Sequence, residues 1–173
     1  MDTIMLAIHT LAAAVFVGPQ VLLFYAVVPS TWLIEDEALR RSVLRVVTSR
    51  FATLTGIALF GLLGTGLYLY TSDVFVPPDV RTNMMAYRFG PVFTLKMISV
   101  VLMVVLIAVH AMVYGRRVRE ASEALERGEG TQGALESARR SSLMFSALLL
   151  LVSVAVLFMG VTLGNHAYSH EPI

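Results

Sequence analysis

Apolar side chains run almost unbroken through four stretches of the chain, at about residues 4–28, 51–72, 91–114 and 142–165. Hydrophobicity in each is continuous rather than alternating. The pattern therefore predicts helices, not the two-residue period of a membrane strand. Each stretch can cross a hydrocarbon core of about 30 Å, which takes about 20 helical residues. A helix also satisfies its own backbone polar groups, as lipid requires. Four such helices with short connections predict an all-α fold: an integral membrane up-down four-helix bundle, with 1–173 as a single domain.

The polar positions orient this arrangement. Arg40, Arg41, Arg45 and Arg50 fall in the first connection, and Arg116, Arg117, Arg119, Arg127, Arg139 and Arg140 in the third. The second carries only Arg81 and Arg88. Arginine-rich connections belong on the cytoplasmic side, so both chain ends are expected outside a bacterial-type inner (plasma) membrane. Trp32 and Tyr114 would mark the inner interface, and Tyr68, Tyr70, Tyr87 and Tyr168 the outer one. The third connection is expected to prolong its two flanking helices, with i,i+4 pairs Glu123–Arg127 and Glu136–Arg140 and a turn at GEGTQG. The first stretch has no basic leading region and no small-residue cleavage site after it, so it reads as a retained helix rather than a signal peptide.

Composition narrows the function classes. Hydrophobic residues make up 57% and charged residues 14%, with a mean hydropathy of +0.75. Soluble domains carry roughly a quarter charged residues. A soluble domain, a disordered chain and a nucleic-acid binder are excluded on that ground, and a net charge of +1 gives no pull on polyanions. The absence of cysteine removes disulfides, thiolate metal sites, iron–sulfur clusters and cysteine nucleophiles. No nucleophile triad, phosphate loop or nucleotide fingerprint is visible.

Ionisable side chains in a bilayer are costly and usually face the protein interior or water. Here they are His9, Lys96 and His110, with His166 at the end of the last stretch, and no carboxylate joins them. At 1.5 Å per residue His9 lies roughly 8 Å inside the outer end, and Lys96 at a similar depth. His110 is about 21 Å further along than Lys96, too far to share a small site. Met5 and His9 fall on one helical face, as do Met159 and His166. His170 follows one turn later if that helix persists. Lys96, Met103 and His110 form a heptad stripe. Thioether and imidazole donors suit Cu(I), and imidazole also suits Cu(II), zinc and haem iron. His9, Met5, Met159, His166 and His170 are therefore candidate copper ligands near the outer face. The same residues have ordinary readings. The methionines fill gaps, His9 hydrogen-bonds to a neighbouring helix, His110 sits near headgroups, and His166 and His170 belong to a solvated tail. Lys96 next to a metal cation is unfavourable at low dielectric. It either snorkels to the interface or meets an anion such as a haem propionate. In that alternative His9 with His166 or His110 holds haem b, with Lys96 or Arg88 near the propionates. Gly18-Pro19-Gln20 predicts a kink, with Gln20 repairing it or bonding across to another helix. Small residues at Gly61, Gly64, Ser146, Ser153 and Gly160 predict close helix packing.

Four runs, IHTLAAAVFVG, FYAVVPS, SRFATLTGIALFGLLGTGLY and FGPVFTLKMISVVLMVVLIAVH, resemble the membrane domain of the copper-resistance D (CopD) family over about residues 5–160. The resemblance implies copper uptake across the inner membrane. It departs at Phe16-Val17-Gly18-Pro19, where many relatives have an aromatic followed by Gly-Gly. The early histidine His9 and the Lys96/His110 combination are also similar to HemJ-type protoporphyrinogen oxidases. That likeness implies haem association and porphyrinogen oxidation, but Gln20-Val21-Leu22-Leu23-Phe24 stands where a Leu-Pro-Arg-Leu-Phe-like run is expected. A third reading is an accessory subunit whose small-residue faces pack in a homodimer or a larger membrane complex. The leading expectation is a copper-binding or copper-uptake protein.

Overall fold

A computed structural model describes residues 1–173. The fold is all-α. Four helices are long and apolar enough to cross a membrane: α1 (Asp2–Thr31), α2 (Glu37–Thr71), α4 (Phe89–Glu126) and α5 (Gln132–Gly164). Two short helices, α3 (Pro78–Thr82) and α6 (His166–Ser169), accompany them. The only β pairing is an isolated bridge between Tyr87 and Pro172.

The helices begin and end where local chemistry allows. α2 starts at Glu37, well before the apolar run, because the Asp36 carboxylate accepts the Ala38 and Leu39 N–H groups at 2.8 and 3.2 Å. Arg40, Arg41, Arg45 and Arg50 therefore lie on a helix and not in a loop. α1 continues past Pro19, through a π-helical turn at Leu23–Val27. Proline has no N–H to donate, and the Gln20 amide donates to the Phe16 carbonyl at 3.0 Å on the same helix. α4 and α5 extend beyond their apolar parts, and the chain turns between them with Gly128 at φ 73°. The ion pairs there differ in register from the expected Glu123–Arg127. Arg127 caps α4 and turns to Glu129 at 2.8 Å, and Glu123 meets Arg119 at 3.9 Å.

The spanning helices present their bulk outward. Tyr25 and Phe60 are 82% exposed and Phe158 is 72% exposed. Apolar surface on this scale is stable only against lipid, which is as apolar as the side chains themselves. The chain is a multi-pass membrane protein.

Contacts divide the chain into two compact units, residues 1–94 with 157–173, and residues 95–156. In the first, α1 runs antiparallel to α2. Tyr68 and Ser72 donate to the Asp2 carboxylate at 2.8 and 3.3 Å, His9 meets Thr65, and Ala12 lies against Gly61. A small core of Val76, Val80 and Phe89 closes the same end, with Tyr70, Phe75, Met84, Phe93 and Leu163 around it. Arg81 ties the connection down by donating to the Thr71 and Val76 carbonyls and pairing with Asp73. In the second unit, α4 runs antiparallel to α5. Buried Met103 faces buried Ser153, with Sδ and Oγ 3.6 Å apart, and His110 lies beside Phe145 and Ser146.

Candidate functional site

His9 is half-buried on α1 and held from α2. Its Nδ1 is 2.8 Å from Thr65 Oγ1, and that hydroxyl is 2.6 Å from the Gly61 carbonyl. The hydroxyl thus bridges the His9 ring and the Gly61 carbonyl and orients the imidazole from α2. An imidazole whose other nitrogen is fixed by a hydrogen bond is how proteins orient a metal-ligating histidine. Gly66 makes room for the ring, because a Cβ at that position would lie 3.3 Å from Cε1. Met5, one turn earlier on α1, is half-buried.

His166 and His170 are the two candidate ligands that the structure visibly brings together. α5 stops at Gly164, Asn165 takes φ −83° and ψ 85°, and His166 opens the separate turn α6. The expectation that Met159 and His166 share a face assumed one continuous helix, and the break at Asn165 interrupts it. The expected i,i+4 approach of His166 and His170 survives on α6. Their rings stack with centroids 4.7 Å apart and planes 17° from parallel.

The solvated-tail reading does not hold. Ser169 is buried and donates to the Leu163 carbonyl at 3.1 Å. The following residues clasp the second connection. The Arg88 N–H donates to the Glu171 carbonyl at 3.0 Å, the Ile173 N–H to Ala86 at 2.9 Å, and the Arg88 guanidinium pairs with the Glu171 carboxylate at 2.8 Å. The same guanidinium lies 5.0 Å from the Tyr168 ring centroid. The His166 ring stands edge-on to Phe75 at 5.9 Å, and the His170 ring lies 6.3 Å from Phe89. His170 Nε2 is buried and has no hydrogen-bond partner. Partial burial, then the neighbouring His170, push the His166 pKa below the ordinary histidine value.

The second unit holds the other two candidates. Lys96 is half-buried on α4. His110 opens a π-helical turn (His110–Tyr114), its ring 5.8 Å from Phe145 and 6.2 Å from Tyr114, with Nε2 3.5 Å from Ser146 Oγ. Its Nδ1 is buried without a partner.

No group of three or more histidine, aspartate or glutamate side chains assembles at metal-binding range. An open groove of about 330 Å³ lies along residues 81–86 and includes Met84 and Met85, but none of the candidate ligands. The paired imidazoles place two nitrogen-bearing rings side by side, with His170 Nε2 buried and without a partner, but their near-parallel planes do not aim both rings at one point. Sequence reasoning reserved Arg88 for a propionate and missed its pairing with Glu171, which is remote in sequence and joined only by the fold. The chain matches no family model, no curated protein and no solved structure.

Proposed function

We propose that the protein binds copper at the outer face of a bacterial-type inner membrane, as an acceptor or uptake component. The second connection and α6 would face outward, and the arginine-rich connections the cytoplasm. The observation that carries this reading is the His166–His170 pair, two imidazoles one helical turn apart and held at one end of the first unit. His9 supports it, since its ring is oriented across two helices by Thr65. Met5, one turn before His9, would supply a thioether of the kind Cu(I) favours. The resemblance of residues 5–160 to the CopD membrane domain points the same way. The test is a Cu(I) titration of the purified protein against a competing chelator. Affinity is expected to fall about tenfold or more in His166→Ala and in His170→Ala, the size of loss typical when a metal site is disturbed. Unchanged affinity in both variants defeats the assignment.

One observation favours a second reading. The hydrogen-bonded orientation of His9 also suits an axial haem ligand, in keeping with the HemJ-like Lys96 and His110. Arg88 supports it less, because its charge is already matched by Glu171. Purified protein from haem-supplemented cells with a Soret band that His9→Ala abolishes would establish haem b in place of copper.

A further inference from the structure

Two contacts fix the register of α4 against α5. Met103 Sδ is 3.6 Å from Ser153 Oγ, and His110 Nε2 is 3.5 Å from Ser146 Oγ. Seven residues forward on α4 therefore match seven residues back on α5. One further step of seven puts Arg117 level with Arg139, with Arg116 and Arg140 beside them. The next turn puts Glu120 level with Glu136. Both helices run on through these residues to the turn at Gly128, and Ser122 and Leu135 are buried between the glutamates and that turn.

Depth sorts the charges of this hairpin. Its apolar stretches end at Tyr114 and begin at about residue 142, and Tyr114 stacks on Phe145 at 4.5 Å just inside that limit, where aromatic rings mark a membrane interface. At 1.5 Å per residue the four arginines lie about 3–5 Å beyond the limit, and Glu120 and Glu136 about 9 Å beyond it. The polar layer of a bilayer adds about 5–8 Å to each side of the hydrocarbon core. The arginines thus stand in the headgroup layer and the glutamates past it. Glu123, Glu126 and Glu129 are farther out still.

Within the chain this positive layer is only partly matched. Arg117 and Arg140 are exposed and form no ion pair, and the Glu136–Arg140 pair that the spacing suggests is not made. Arg116 meets Glu120 at 3.3 Å, but the two side chains are 64% and 60% exposed, and such a pair holds weakly. A guanidinium presents a fork of donors that matches phosphate oxygens. A soluble polyanion would first meet the outer glutamates, which repel it, whereas a lipid phosphate reaches the arginines from the bilayer side.

We propose that Arg116, Arg117, Arg139 and Arg140 form a binding layer for the headgroup of an anionic phospholipid at the membrane boundary of the α4–α5 hairpin. The layer involves no residue of the copper reading and is independent of it. Clusters of four or more basic residues directly beyond a membrane span are the usual form of such a site.

The test titrates the full chain, in neutral detergent, with phosphatidylglycerol and separately with phosphatidylcholine, and counts bound lipid by native mass spectrometry. Phosphatidylglycerol is expected to bind more tightly. Each basic residue at a membrane surface contributes about fivefold, so Arg117→Gln with Arg140→Gln is expected to weaken phosphatidylglycerol binding about twenty-fivefold. Both side chains are exposed, so the helices do not depend on them. Arg127→Gln removes the same charge about 20 Å past Tyr114 and is expected to change nothing. Ammonium phosphate is expected to displace the lipid no better than ammonium acetate of matched ionic strength. Equal binding of the two lipids, a double variant that binds like the parent, or an equal loss in Arg127→Gln each overturns the proposal. Selective displacement by phosphate also overturns it, by assigning the arginines to a soluble phosphate.

Discussion

One hydroxyl decides how His9 is oriented. Thr65 Oγ1 lies 2.8 Å from His9 Nδ1 and 2.6 Å from the Gly61 carbonyl, which holds the imidazole across two helices. Thr65→Val keeps the shape and removes the hydrogen-bonding hydroxyl. The loss of a hydrogen bond to a partly buried group is expected to cost about 1–3 kcal/mol, measurable as a lower unfolding midpoint in detergent. If His9 is a ligand, copper affinity is expected to fall about tenfold as well, as when other outer-shell partners are lost. A destabilised protein with unchanged affinity would mark His9 as architectural. The histidine was legible in the sequence because a polar side chain stands out in an apolar run. Its partner was not, since a threonine among small residues reads equally well as packing.

At the scale of elements, the capping residues moved the boundaries that hydropathy placed. Asp36 starts α2 at Glu37, so the first connection is short and its arginines are helical. Asp36→Ala is expected to cost about 1 kcal/mol, the usual worth of an N-cap, and to speed hydrogen exchange at Ala38 and Leu39. Unchanged exchange there would show that the first turn is held by something other than the cap. The converse happens at Asn165, where the chain leaves the helix. That break puts His166 on a separate turn from the helix that carries Met159, with His170 stacked on it one turn later. Periodicity assumes an unbroken axis and carries no information on where the axis stops. The heptad stripes fared better within the second unit. Met103 and His110 on α4 meet Ser153 and Ser146 on α5, where a seven-residue spacing on two antiparallel helices keeps each pair in register.

For the whole molecule, orientation is the open quantity with the simplest test. The chain has no cysteine, so single cysteines at Gly128 and at Asp79 report on the turn between α4 and α5 and on the second connection respectively. A membrane-impermeant maleimide is expected to label Asp79→Cys from outside intact cells and Gly128→Cys only after lysis. The opposite pattern would put the histidine pair inside and leave the uptake reading without its direction. The sequence by itself determined the membrane class, the four spanning helices and their all-α character. Those follow from the length of the apolar runs and the cost of unpaired backbone in lipid, both local properties. Only the tertiary structure decided that His9 is oriented by Thr65, that Arg88 belongs to Glu171, and that residues 166–173 fold back as a clasp. Each of these joins groups far apart in the chain, and their meeting depends on which helices lie side by side, which a run of apolar residues does not encode.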